Sequence, residues 1–537
     1  MERELASSHY IQSMFFQNST LRSLLFFALL TALVPIWITH REMWDGVAIE
    51  YAFETRDLSG LFNAATASGW PIASYFYKIL FTLQESFYIP YWLGIDAIYT
   101  VALLGMAYEV FHLASRRMHL SQHLSTMVLI LFLAHPIWHF LMSGIHFLHM
   151  TGFWFLLMGH RLTSQKTLPF RLFGWALVTL SFQFPASIVM IFWLEWALYV
   201  EARKAEQQNV VRAFLVAFYA VGWYVASRTI FGPTQTFGAY NQLLLPNSLE
   251  SIKIILWTGL KFASWFVVLS APLWVTLFGQ RRVEFSTEVS RRWNVKLLAP
   301  FLFSSTGIAL TGCFLALAPY LAVGKGPVVV MPYDWTARNA LPLALPFSIL
   351  MVLMIEKLVV NADDLKTSKA KEKRLLTSVF FWWLSMSILG IGGKLYQIKL
   401  EKAIEVSLRH LAAPPSGLVT LQLPFDPLIR IRHNEANGLL WRAYGRAQWA
   451  VLISPPSSWA QLIRESYVGE QKTAVKNVKN LELWSKFYVM GDLKSFDCET
   501  TISFTLPPGE QYRPAWVSWL SWSPIQLKAS LENTSCP

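Results

Sequence analysis

The sequence predicts an all-α polytopic membrane protein of about eleven transmembrane helices, followed by a C-terminal mixed α/β domain. Three observations carry that prediction. Of 537 residues, 54% are hydrophobic and only 15% charged, against about 25% charged in soluble domains, and the mean hydropathy is +0.38. Apolar segments near the roughly 20 residues that cross a bilayer recur along the chain. Basic residues collect in alternate loops, as topology signals do. The 24 Trp residues add to this, because an indole ring is suited to the membrane–water interface.

The first segment, Leu24–Thr39, follows about twenty more polar residues and lacks a clean small-residue cleavage site, so it reads as a span rather than a signal peptide. The further spans are Tyr91–Leu113, Leu124–Leu141, Phe147–Met158, Leu172–Gln183, Pro185–Tyr199, Ala213–Ile230, Ile254–Phe278, Leu297–Leu321, Ala340–Leu358 and Ser378–Gly392. Phe170 to Val200 reads either as two short spans or as one bent helix.

Arg116 and Arg117, then Arg161, Lys166 and Arg171, then Arg203, Lys204 and Arg212, fall in alternate loops. So do the basic clusters at 281–296 and 366–374. The positive-inside rule puts these loops in the cytoplasm, with residues 1–23. An odd number of spans then leaves the chain after Gly392 outside. The expected organisation is a cytoplasmic segment (1–23), a transmembrane domain (24–394) with a long first outer loop (40–90), and an extracytoplasmic soluble domain (395–537). Short loops and sparse sequons favour a bacterial inner membrane, with the last domain in the periplasm. The formal charge of +12 lies in these topology clusters, which argues against nucleic acid as a partner.

In the last domain "GLVTLQL" and "TISFTL" read as strands and "SWAQLIRESY" as a helix. Cys313 lies in an apolar run and reads as a small packed hydrophobe. Cys498 and Cys536 would be able to pair in an oxidising compartment. There is no internal repeat and no Walker, GxGxxG, CxxC or HExxH pattern, so ATP-driven transport and zinc hydrolysis lack support.

The first outer loop is unusually acidic. Glu42, Asp45, Glu50, Glu54 and Asp57 follow directly on the first span. Were Trp44–Asp57 one helix, Glu50, Glu54 and Asp57 would share a face and Glu42 and Asp45 another. Phe53, Leu58, Leu61, Trp70 and Tyr75 suggest a loop lying on the membrane surface. Glu50 and Glu54 then read as solvated charges. Asp45, between Trp44 and Gly46, is the functional candidate, since glycine permits an unusual turn or a close backbone approach.

Here the chain resembles the GT-C superfamily of membrane glycosyltransferases. "MWDG", with Asp45, is similar to that family's acidic position soon after the first span. The cytoplasmic N-terminus, long first outer loop and terminal outer domain fit the same architecture. The resemblance implies transfer of a sugar from a polyprenyl-phosphate or -diphosphate lipid to a glycan, lipid or protein acceptor. Asp45 would be the general base. Asp57 or Glu54 would orient the acceptor or hold a divalent cation, Mg or Mn, through hard oxygen ligands.

A second outer stretch, "AVGKGPVVVMPYDWTARN", supplies cations for the departing lipid phosphate. Lys325 lies between two glycines, and Arg338 can fork two donors onto a phosphate. Both would otherwise anchor helix ends in headgroups. Trp44, Tyr333 and Trp335 would line a sugar site. His135, His139, His146 and His149 cluster in "LAHPIWHFLMSGIHFLHM", where His146 and His149 would reach the donor phosphate. His135 and His139, at i and i+4, would share a helix face. Glu109 and His112 read as facing water. The rival readings are a polymerase or ligase of lipid-linked oligosaccharides, a polysaccharide-lipid transporter, and a non-catalytic scaffold.

Overall fold

The computed structural model describes residues 19–38, 41–42, 46–67, 71–140, 146–182, 185–204, 210–230, 248–278, 304–324, 340–360, 368–411, 418–423, 433–445, 450–453, 499–506 and 524–535. Among the described residues fifteen α-helices come first: α1 Ser19–Ile38, α2 Gly46–Glu54, α3 Ser59–Ala67, α4 Pro71–Phe87, α5 Tyr91–His112 (continued by a π-helical turn, Leu113–Arg117), α6 Gln122–Leu133, α7 Ile137–Phe140, α8 Phe147–Thr163, α9 Leu168–Ser181, α10 Pro185–Lys204, α11 Val210–Ile230, α12 Leu249–Phe278, α13 Ser305–Ala322, α14 Ala344–Val360 and α15 Ser368–Arg409. They are followed by β1 Leu418–Gln422, α16 His433–Tyr444, β2 Ala450–Ile453, β3 Glu499–Thr505 and β4 Lys528–Ser535.

The described chain is mainly helical. Among the described residues, six helical stretches are long and apolar enough to cross a membrane: 19–38, 91–117, 251–275, 305–322, 340–357 and 372–409. Three further apolar helices, Leu168–Ser181, Ala186–Val200 and Leu215–Ala226, are shorter. The stretch around 170–200 forms two helices, α9 and α10. The expected span Leu124–Leu141 is broken: α6 stops at Leu133 and α7 begins at Ile137. Pro136 lies in the gap, where it has no N–H to continue the ladder, and the freed Ile137 N–H donates to His135 Nδ1 instead.

Two hydrophobic cores organise the chain. The larger gathers α1 to α15, the last as far as Met386. In α1 the inward face is Leu21, Leu24, Ala28, Ala32 and Ile36, at helical spacing, while Phe26, Phe27, Leu30 and Trp37 point outward. The smaller core joins Tyr396, Leu400, Ile404 and Leu408 of α15 to Val419 and Leu421 of β1, Leu439 and Leu440 of α16, and Ile502 and Phe504 of β3. Its sheet has the order β2-β1-β3-β4. β1 runs parallel to β2 and β3, and β4 closes the edge antiparallel to β3.

α15 links the two cores. Its 42 residues extend about 63 Å at 1.5 Å per residue, roughly twice the hydrocarbon thickness. The boundary expected at 394/395 therefore falls inside a continuous helix. Both expected strands, "GLVTLQL" and "TISFTL", are present as β1 and β3. The helix expected at "SWAQLIRESY" lies outside the described residues, as do Cys498 and Cys536. Cys313 is buried and unbridged, as its apolar neighbourhood suggests.

Candidate site where the first loop meets the last helix

The acidic loop is built differently from the single surface helix its spacing suggests. α2 ends at Glu54, and Arg56 then takes a left-handed φ of 58°. Asp57 consequently does not continue the face of Glu50 and Glu54. Its Oδ1 accepts the Ser59 N–H at 2.9 Å, an Asx turn that opens α3. Glu54 and Asp57 are exposed. Phe53, Leu58 and Leu61 are buried in the larger core rather than laid on a membrane surface, while Tyr75 of α4 faces outward.

Glu50 is likewise not a solvated charge. It is bound by Arg442 of α16, 392 residues away in sequence, with Arg442 Nε donating to Glu50 Oε1 at 3.1 Å and Nη2 to Oε2. α2 and α16 meet along matched i, i+3, i+4 edges. Val47 packs on Gly438, Tyr51 meets Trp441 edge-on at 5.3 Å between ring centroids, and Glu50 meets Arg442. A Cβ at Gly438 would stand 2.0 Å from Val47 Cγ1, so only glycine allows this approach.

The same guanidinium reaches further. Arg442 Nη2 donates to the Glu42 carbonyl at 2.8 Å, and Nη1 to Glu401 Oε2 of α15 at 3.4 Å. Arg41 also binds Glu401, Nε to Oε2 at 2.9 Å, and Glu405, Nη2 to Oε2 at 3.0 Å. Gln397 Nε2 donates to the other Glu401 oxygen at 3.2 Å. Glu401 is thus fully buried with both oxygens occupied, the condition under which a buried carboxylate is tolerated. Arg409 Nη2 binds Glu405 and, at 2.9 Å, the carbonyl of Arg442. Burial by itself would lower the Arg442 pKa. Glu50, Glu401 and Glu405 outweigh it and hold the guanidinium well above its usual value.

Down the helix the polar line continues. Ser387, Gly390, Lys394, Gln397, Glu401 and Glu405 recur every three or four residues on one face of α15. Ser387 and Trp383 donate to Thr31 of α1. Gly390 receives the ring of His139, whose Cδ2 lies 2.3 Å from where a Cβ would be. Lys394 is buried within electrostatic reach of Asp96 of α5 and Glu42. An ionisable group inside a membrane span is costly, and is usually retained for a function.

Of the expected site residues, Trp44, Asp45, Lys325, Tyr333, Trp335 and Arg338 lie outside the described residues. His146 is buried and His149 partly so, their rings 5.7 Å apart at the start of α8. His135 and His139 do not share a helix face, because the chain breaks between them. His135 is enclosed instead by Trp138, Trp265 and Phe347. Among the described residues no three His, Cys, Asp or Glu side chains converge on a metal position. Sequence reading missed Asp96, Lys394, Glu401, Glu405 and Arg442 as members of this network. For α15 the signal was available, as a polar stripe at helical spacing through an apolar helix.

A separate ion cluster closes the opposite end of α5 and α8. Arg161 Nε binds Glu109 Oε2 at 2.8 Å, so Glu109 is buried and paired rather than facing water. His160 Nε2 and Glu195 Oε1 are 2.9 Å apart, and Arg212 binds both Glu195 and Thr163. Arg117 donates to Ser164 at 3.2 Å. Three loops that the charge pattern assigned to one side thus meet at one end. Compared with known proteins, the chain matches no family model, and no curated protein matches it.

Proposed function

We propose that this chain is a membrane glycosyltransferase that moves a sugar from a polyprenyl-(di)phosphate lipid to a glycan, lipid or protein acceptor on the extracytoplasmic side. Asp45 serves as general base, a role typically contributing 10²–10⁴-fold. Arg338 and Lys325 steady the lipid phosphate, with His146 and His149 nearby, and Trp44, Tyr333 and Trp335 contact the sugar. About eleven spans, a cytoplasmic N-terminus and an outer C-terminal domain in a bacterial inner membrane belong to the same reading.

One observation carries it: the described chain on both sides of Asp45 is bound to α15 and to α16 of the second core. Glu42 and Glu50 flank the acid, and both meet Arg442. Support also comes from the similarity of "MWDG" and the loop order to GT-C enzymes.

The test is Asp45→Asn, expressed and folded as the parent, assayed with a panel of labelled polyprenyl-phosphate and polyprenyl-diphosphate sugars. Loss of transfer supports the reading; full transfer ends it. Buried Lys394 and His139 favour a second reading, a polymerase or ligase of lipid-linked oligosaccharides, which relies on cations and imidazoles. Transfer that survives Asp45→Asn and fails in Lys394→Met selects that reading. Movement of unaltered lipid-linked sugar by the protein in liposomes would select a transporter.

A further inference from the structure

We infer that Arg442 is a positioning residue for the proposed transfer: it fixes the first loop against α15 from both sides of residues 43–45. The inference rests on the reading above for what the clamp serves, and on described contacts for the clamp itself.

The geometry singles out this side chain. Arg442 is 8% exposed, on the helix that packs in the second core. Its one planar group reaches three partners. It donates to the backbone carbonyl of Glu42. It donates to the carboxylate of Glu50 on α2. It also donates to Glu401, a residue of α15. The first two belong to the first loop and the third to α15, so one guanidinium references the loop to the bundle. A lysine ammonium cannot reproduce this, because it is a point charge without the rigid fork. Arg41 repeats the logic one residue before Glu42, gripping Glu401 and Glu405. The Val47–Gly438 and Tyr51–Trp441 contacts hold α2 on the same edge of α16.

A plain staple would look similar in the resting structure, so the two are separated by readout. Misplacement of a reacting group by about 1 Å costs on the order of 10²-fold in rate. Arg442→Lys keeps the charge and removes the fork. The expected result is a fall in kcat of that order, with the KM for the lipid-sugar donor little changed, in protein whose Tm stays near that of the parent. Glu50→Gln, which weakens one arm, should give a smaller fall in the same direction.

The clamp is read without activity by spin labels on two exposed positions, Glu54→Cys on α2 and Val406→Cys on α15, with Cys498 and Cys536 replaced by Ser. The parent should give a narrow distance distribution and Arg442→Lys a broad one. An unchanged distribution in Arg442→Lys overturns the clamp, whatever Asp45 does. A broadened distribution with kcat unchanged overturns the positioning role and leaves a staple. Should Arg442→Lys fail to fold, Glu50→Gln takes its place in both measurements, with the same outcomes deciding. Failure of the enzyme reading is visible separately, as full transfer by Asp45→Asn.

Discussion

Gly438→Ala tests the docking of the first loop with a single methyl group. In an isolated helix this change is favourable, because glycine is about 0.8–1.0 kcal/mol worse than alanine in a helix interior. Here the new Cβ would stand 2.0 Å from Val47 Cγ1 and 3.1 Å from Val47 Cβ. Valine holds one rotamer in a helix, so its side chain cannot swing clear and α2 must move. Overpacking of this kind costs about 1–3 kcal/mol, and a contact this short on a stiff partner belongs at the upper end. After subtracting the helix gain, the loss is about 2 kcal/mol, roughly a 30-fold change in an equilibrium constant. The assay is amide hydrogen exchange of α2, residues 46–54, in detergent-solubilised protein. Exchange there should quicken by about that factor, while the opposite end of the bundle, around Thr163, is unchanged. Val47→Ala in the same chain removes the clashing methyl and should restore much of the protection. Exchange as slow as in the parent, or slower, would show that the α2–α16 edge is not packed as described.

Gly390→Ala should act in the same way one layer down, where the added Cβ meets His139 Cδ2 at 2.3 Å. The expected loss is about 1–3 kcal/mol, seen as a lower Tm and relieved by His139→Ala. The Arg442 clamp should also be insensitive to raised pH. A guanidinium whose folded pKa lies above its unfolded one contributes fully below the unfolded value, and loses that contribution only as pH rises through the folded value. Protection of α2, corrected for the faster intrinsic exchange in base, should therefore be the same at pH 7 and pH 9; a marked loss would contradict the assignment of that charge.

Much of the fold was legible because it rests on local pattern. Residues 19–38 were readable from one apolar run of the right length, and β1 and β3 from short alternating segments. The break at Pro136 follows from a missing N–H, and it undid the expected pairing of His135 with His139 on one face. α16 was missed because Asn434, Asn437 and Gly438 weaken its helical signal; its stability comes from Leu439 and Leu440 packing in the second core. Glu50 was misjudged for a related reason. A glutamate in an acidic loop looks solvated until a cation 392 residues away is brought beside it.

By itself the sequence determined that this chain belongs with a bilayer, the regions where several of its long apolar helices lie, and that its acids crowd behind the first of them. Hydrophobic length and periodicity are properties of neighbouring residues, so they survive in one dimension. Only the tertiary structure decided that Arg41, Glu42, Glu50, Glu401 and Arg442 form one buried network, and that α15 carries a polar stripe from one core into the other. Buried ionic contacts depend on which distant helices approach to within about 3 Å, and charge identity alone does not encode that meeting.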